Sequence, residues 1–314
     1  MRQKVIYSVV FFCVFLICDR ILGKVVSNYV QSKVYDKRIS DLAKNELKPD
    51  IFIVGSSLAA RNIDPIQLTN NTGKEHFNLG YPGSNLTFHR LLINLILSNE
   101  KLPKLIILTA SDNLLEDTRL KKGGVSFRED IANQFISFPV VKRALIDLDL
   151  KDKYLCELSH VYRENANFNS AINFLVFGRE KQTSLTKVGQ KGYMIRSDKK
   201  SITHDTLQYI NEGKYYSQEN ESNKLIEDFT FIVESLKVKG VNFVVALPPQ
   251  YQSATDLFIE RLEEFDSNIE VWDYRESLKE KEYFFDRVHL NLNGAKKFND
   301  MLTNKINTHF EKNN

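Results

Sequence analysis

The stretch DIFIVGSSLAARNIDP, Asp50 to Pro65, decides how this chain is built. Ile51-Phe52-Ile53-Val54 is a short, unbroken apolar run, the kind buried on both faces within a parallel sheet. It ends in Gly55-Ser56-Ser57 and continues as a helix-like segment. The order predicts a strand, a sharp turn eased by glycine, and a helix. Ser57 then emerges at the carboxyl edge of the strand, where open parallel sheets bind their ligands.

The same alternation continues outward. Phe77-Asn78-Leu79 reads as a weaker second strand. Leu105–Leu108, after Pro103, is a clear third. Asn242–Leu247 is a fourth, ended by Pro248-Pro249, and Ile269–Trp272 a fifth. Leu225, Ile226, Phe229, Ile232, Val233 and Leu236 share one helical face, with Gly240 as the stop. Ala295, Phe298, Met301, Leu302 and Ile306 share another, with Asn293 as the expected N-cap. Strands alternating with helices predict an α/β domain over 49–314, its parallel sheet covered on both faces. Residues 114–215 break the rhythm. They are polar, aromatic-rich and mostly helical or irregular, and are expected to form an insertion.

The N-terminus carries a targeting signal. Arg2 and Lys4 precede Val5 to Cys18, a run of 14 mostly apolar residues. Asp19 and Arg20 interrupt it before Ile21-Leu22. Fourteen helical residues span roughly 21 Å, short of a ~30 Å hydrocarbon core. A cleaved signal peptide and a buried helix are therefore rival readings. No small-x-small cleavage site follows the run, which favours an uncleaved anchor over 1–22. The positive flank places the N-terminus in the cytoplasm and the rest of the chain outside the membrane. Residues 23–48 read as a polar, partly helical stem.

Composition narrows the classes. The chain has 314 residues, a net charge of +3 and three cysteines. That charge, without a basic stripe interleaved with aromatics, excludes nucleic acid as the expected partner. Cys13 and Cys18 fall in the apolar run, so no disulfide framework is expected. No Cys/His cluster has zinc-ligand spacing, and neither a metal nor another cofactor is expected.

The second informative stretch is FFDRVHLNLNGAKKF, Phe284 to Phe298. Asp286 lies three residues before His289. A free serine is a poor nucleophile and needs a base within hydrogen-bond reach. His289 can serve if Asp286, across one turn, holds the proton on one ring nitrogen and leaves the other facing Ser57. A Ser-Ser pair after a strand is most often only a helix cap, and a lone Asp-x-x-His is more often a surface turn. Both in this order, each at the edge of its element, favour a serine site. The glycine-rich loop Asn78–Ser84 is a source of N–H donors for a developing oxyanion. The third strand ends in Thr109-Ala110-Ser111-Asp112-Asn113. Asn113 offers an amide donor there. Asp112 would oppose an oxyanion unless protonated or turned away. His76, His89, His160 and His204 have no evident partner and are expected to be structural.

These segments resemble the SGNH (GDSL-type) hydrolase superfamily, over residues 49–114 and 240–310. Gly55-Ser56-Ser57 is similar to its nucleophile block, with Ser56 where aspartate is common. Asn78-x-Gly80-x-x-Gly83 is similar to the second block, and Asp286-x-x-His289, followed by Leu290-Asn291 and Gly294-Ala295, to the last. The third block departs: the family's Gly-x-Asn-Asp reads here Ala-Ser-Asp-Asn. The resemblance implies a flavodoxin-like, three-layer α/β/α fold with about five mainly parallel strands. It also implies Ser57, Asp286 and His289 as catalytic residues, with Ser57, Gly83 and Asn113 at the oxyanion hole. The anchor and stem resemble a membrane-anchored bacterial subgroup of the cell envelope. The expected function is a serine esterase or O-acyltransferase working through an acyl-serine. Its expected substrates are small esters or acylated glycans, O-acetyl groups of envelope or exported polysaccharide foremost. Tyr154, Tyr162, Phe174, Phe177 and Tyr193 in the insertion suit sugar faces, or pack the insertion's own core. The other function class is a non-catalytic envelope scaffold that keeps the fold.

Overall fold

The computed structural model describes residues 2–118, 124–178, 188–194, 205–211 and 216–312. From the N-terminus the chain runs α1 (Arg2–Lys33), α2 (Arg38–Ala43), β1 (Ile51–Gly55), α3 (Ser57–Asn62), α4 (Pro65–Thr72), β2 (His76–Gly80), α5 (Leu86–Leu97) and β3 (Leu105–Thr109). Then come α6 (Glu129–Ala132), α7 (Pro139–Asp147), α8 (Lys153–Leu158), α9 (His160–Arg163) and α10 (Asn165–Phe177). The last part holds α11 (Asn223–Lys239), β4 (Asn242–Leu247), α12 (Leu257–Phe265), β5 (Glu270–Asp273) and α13 (Leu292–Lys312).

The five strands form one sheet in the order β2-β1-β3-β4-β5, and every pair is parallel. This is the flavodoxin-like order, with the chain reversing direction at β1 and β3. Each strand lies within one residue of its expected position, because each is a short apolar run closed by glycine, proline or a polar cluster. Side chains alternate across the sheet. Ile51, Ile53, Ile107, Val244 and Ala246 face a core shared with Phe298, Leu302 and Ile306 of α13. Phe52, Val54, Ile106, Leu108 and Val245 turn the other way, where α5 and α11 pack. The three-layer arrangement follows.

Two helices differ in detail from the sequence reading. The N-cap of α13 is Asn291, whose Oδ1 accepts from Gly294 N–H at 3.0 Å, and Asn293 lies inside the first turn. The buried face of α11 also includes Asp228. Its carboxylate accepts from Thr87 Oγ1 (2.6 Å), Arg90 Nη1 (2.8 Å) and Lys224 Nζ (2.6 Å), which ties α11 to α5. A buried charge is tolerable only when paired in this way.

By contact the chain divides into two compact units. One is the α/β unit: residues 41–118, 124–127, 188–194, 205–211 and 216–312. The other comprises 2–40 and 128–178. The stretch 114–215 is shared between them.

In the second unit α1 runs without interruption through residues 22 and 23 and is long and apolar enough to cross a membrane. One stripe of it is buried: Asp19, Gly23, Ser27 and Val30. Asp19 accepts from Ser159 Oγ (2.5 Å) and from the N–H groups of His160 (2.7 Å) and Val161 (3.1 Å), so it caps α9 from outside. Gly23 is required by close approach: a Cβ there would lie 2.5 Å from His160 Cβ. The other side stays apolar and exposed beyond Cys18, through Ile21, Leu22 and Val25. Asp19 therefore ends the apolar run only in the linear sequence. On the helix it lies on the face that packs against protein.

Candidate active site

Ser57 opens α3 directly after β1, with Ser56 as the N-cap residue. As the first helical residue its N–H has no intrahelical acceptor. The helix lies hard against the end of β2, where a Cβ on Gly80 would stand 2.3 Å from Ala60 N. Buried Asn78 fixes this approach. Its Nδ2 donates to the carbonyls of Ala59 and Ile63, both at 2.8 Å, and its Oδ1 accepts from Gly80 N–H at 2.7 Å. The sequence reading placed Asn78 in a motif. Its place in the fold is a bracket holding α3 on the strand edge.

The loop before α13 carries the other two groups. Asp286 Oδ1 accepts from the N–H groups of Val288 (3.1 Å) and His289 (2.9 Å), folding the loop into an Asx turn. That turn sets His289 Nδ1 2.9 Å from both carboxylate oxygens and His289 Nε2 2.8 Å from Ser57 Oγ. With Asp286 ionised, Nδ1–H donates to the carboxylate, and Nε2 presents its lone pair to the hydroxyl. Burial acts to raise the Asp286 pKa. The hydrogen bonds from the His289 ring and the two N–H groups outweigh it and hold the carboxyl below its ordinary value. The Arg61 charge, one turn along α3 from Ser57, also acts on this carboxylate.

The contact between helix and loop rests on residues the sequence reading missed. Asn62 Oδ1 accepts from Leu290 N–H at 3.1 Å, the residue after the histidine. Asn299 of α13 donates to Asn62 O (2.9 Å) and accepts from Asp64 N–H (2.9 Å). Both asparagines are fully buried. The one available signal was Asn299 on a largely apolar helical face.

The candidate oxyanion groups follow β2 and β3. Tyr81 N–H donates to Gly55 O at 2.9 Å, joining the glycine loop to the strand end two residues before Ser57. Ser84 Oγ holds that loop from within, donating to Tyr81 O (2.7 Å) and meeting His89 Nε2 at 2.9 Å. Gly83 has φ +77°, a conformation that favours glycine. Among the described residues its N–H has no hydrogen-bond acceptor. Asn113 is exposed, and its Oδ1 accepts from Ser111 Oγ at 2.6 Å. Asp112 pairs with Arg275 Nη1 at 2.9 Å, and Arg275 is itself buried and clamped to Asp273. Burial pushes the Asp112 carboxyl above its ordinary value, against the pull of Arg275. The structure thus brings Ser57, His289 and Asp286 into one hydrogen-bonded chain. Gly83 and Asn113 lie in the loops after neighbouring strands, without a hydrogen bond to Ser57 among the described residues.

The remaining residues divide. Buried Tyr193 lies against α3, its Oη 3.5 Å from Arg61 O, and Met194 N–H donates to Ala60 O at 2.9 Å. Tyr154, Tyr162, Phe174 and Phe177 belong to the other unit, with Tyr154 and Phe177 exposed. His89 pairs with Ser84, and His76 Nδ1 lies 2.7 Å from Lys74 O, so both have structural partners. His204 lies outside the described residues. Among the described residues no group of three or more His, Cys, Asp or Glu is placed to hold a metal ion.

No known family model matches the chain, and no curated protein matches it in sequence.

Proposed function

We propose that this chain is a membrane-anchored serine enzyme of acyl transfer, similar to SGNH hydrolases. The observation that carries the proposal is the relay from Ser57 Oγ to His289 Nε2 at 2.8 Å and from His289 Nδ1 to Asp286 at 2.9 Å. In this reading Ser57 Oγ attacks the ester carbon while His289 takes its proton and Asp286 stabilises the imidazolium. The tetrahedral oxyanion is met by the N–H groups of Ser57 and Gly83 and by Nδ2 of Asn113. Ser111, bound to the carbonyl end of that amide, leaves its N–H end for the ligand. Collapse expels the alcohol, which leaves with the proton from His289. Water or a sugar hydroxyl then takes the acyl group from Ser57, with His289 as base again. The triad serves either acceptor.

The proposed substrate is an O-acyl group, acetyl foremost, on an envelope or exported polysaccharide, reached from the extracytoplasmic side of the membrane. Retention of α1 as an anchor is supported by its buried stripe of Asp19, Gly23, Ser27 and Val30, because a cleaved signal has no such place in a fold. Arg2 and Lys4 support a cytoplasmic N-terminus.

A fluorophosphonate ester mimic tests the chemistry. It should label the full chain at Ser57 and leave Ser57→Ala and His289→Ala unlabelled. Equal labelling of wild type and Ser57→Ala would remove Ser57 from the mechanism. One observation favours a second reading, a non-catalytic scaffold: Asp112 of the altered third block is committed to Arg275. An unlabelled wild-type chain with no turnover of acetyl esters would select that reading.

A further inference from the structure

Among the described residues outside α1, most of the large exposed apolar side chains belong to the unit that contains α1. Among the described residues of the α/β unit, large exposed apolar side chains are single and scattered: Val238, Leu257, Val288 and Leu292. Such residues are ordinary. In the unit that contains α1 they cluster on α8 and on the last turn of α10. On α8, Tyr154 is 79% exposed and Leu155 and Leu158 accompany it, while Lys153 and Glu157 supply its polar side. On α10, Leu175, Val176 and Phe177 are 72%, 66% and 77% exposed. Three consecutive exposed positions cannot share one helical face, so this turn projects apolar groups all round.

The depth of α8 follows from its ties to α1, against which α10 also packs. Its exposed apolar side runs from Val5 to Val25, 21 residues. That is about 31 Å of helix, matching a ~30 Å hydrocarbon core. Asp19, Arg20 and Gly23 lie within this span on its protein-facing side. Arg20 Nη1 donates to Leu158 O at 2.8 Å, and its Nη2 lies 3.4 Å from Glu157 O. Asp19 and Gly23 hold His160. The end of α8 and the start of α9 are therefore tied to α1 within the last ~9 Å of that span, close to where α1 leaves the hydrocarbon core.

We propose that Lys153–Phe177 is a second membrane contact, seated in the interface of the same lipid bilayer that α1 crosses. It rests on the proposal that α1 is a retained membrane helix. Tyr154 suits the headgroup level, where an aromatic ring with a polar tip is favoured. Leu155, Leu158 and the last turn of α10 reach the acyl boundary, as interfacial helices do. Most charges in and beside this region are paired, Arg163 with Glu164 among them, and Lys153 stands at its exposed start. Asp19 has Arg20 and three hydrogen bonds, and Glu157 has Lys142. The contact fixes the unit against the membrane at several points around α1.

Fluorescence quenching by lipid tests this with the full chain in protein-free vesicles of phosphatidylethanolamine and phosphatidylglycerol. In a Cys13→Ser, Cys18→Ser background, an NBD probe is placed at Phe177→Cys, Leu158→Cys, Phe11→Cys or Val238→Cys. Doxyl lipids should quench most of the emission at 177 and 158, as at 11, and leave 238 unquenched. Quenching at 11 with none at 158 and 177 would overturn this proposal and leave the anchor standing. No quenching at 11 would overturn both. Shielding of 158 and 177 in native membranes but not in vesicles would assign the patch to a partner protein, and would also overturn the proposal. On the unsubstituted chain, a diazirine-bearing lipid should crosslink within 153–158 and 172–177, and crosslinks confined to α1 would count against it.

Discussion

Asp286→Asn is the substitution whose outcome the geometry constrains most. Asparagine is nearly isosteric and keeps an oxygen to accept from the N–H groups of Val288 and His289, now at 3.1 and 2.9 Å. The Asx turn should survive, and stability should change by no more than about 1 kcal/mol. The ring contact changes sign. The new Nδ2–H₂ faces His289 Nδ1, which lies 2.9 Å from both carboxylate oxygens. The imidazole must then accept there and carry its proton on Nε2, the atom 2.8 Å from Ser57 Oγ. The base becomes a donor toward the group it should deprotonate. In a dry serine triad this change costs roughly 10⁴ in kcat. Here the Asp286 side chain is 31% exposed and that of His289 15% exposed, so solvent screens part of the charge. The expected loss in kcat/KM is therefore ~10²–10³, about 3–4 kcal/mol of barrier. Hydrolysis of a small activated acetyl ester by the full chain in detergent measures it, with urea unfolding as the control for folding. Activity equal to wild type in a folded variant would refute the relay as the source of catalysis.

Four further outcomes are expected. Asn62→Ala removes the acceptor for Leu290 N–H; it should cost ~1–3 kcal/mol of stability and lower kcat with KM unchanged, and an unaltered kcat would mean the loop holds its own position. Gly80→Ala drives a Cβ to 2.3 Å from Ala60 N; it should displace α3 and abolish phosphonate labelling of Ser57, and retained labelling would show that the helix can shift freely. Burial holds His89 neutral, with its pKa near 3, and His76 near 4. Both lie below the unfolded value of ~6.5, so the unfolded chain binds the extra protons as pH falls below that value. Stability should decline from there toward pH 4 by up to ~1.4 kcal/mol per pH unit for each imidazole, and a urea midpoint as steep in His89→Gln as in wild type would count against His89. Gly23→Leu should detach residues 128–178 from α1, read as new protease sensitivity there, while a small acetyl ester is still hydrolysed.

The sheet and the relay were legible for one reason, and the rest of the site was hidden for the complementary one. A buried parallel strand is marked locally: Ile51–Val54 and Asn242–Leu247 announce themselves by apolar runs and their breakers. Ser57 is legible because it directly follows such a strand, and His289 because it stands just ahead of the amphipathic α13 with Asp286 within one turn of it. Asn62, Asn299 and Arg275 carry no such mark. Asn62 meets Leu290 from 228 residues away, and Arg275 meets Asp112 from 163. Only the fold makes them neighbours, and apart from Asn299, which stands on the apolar face of α13, they look in sequence like exposed residues.

The same limit governed α1. Read along the chain, Asp19 ends the apolar run after 14 residues. Read around the helix, Asp19, Gly23, Ser27 and Val30 lie on one stripe, and the lipid-length surface continues past them to Val25. A charge within an apolar segment is costly unless a partner receives it. Ser159, His160 and Val161, about 140 residues on, are that partner. Asp19 therefore marks where the helix meets the rest of its unit. This also bears on the choice between anchor and cleaved signal. Cleavage after the apolar run would strip the cap from α9 and expose the face that holds His160, so the packing that makes Asp19 tolerable argues for α1 remaining in the folded protein.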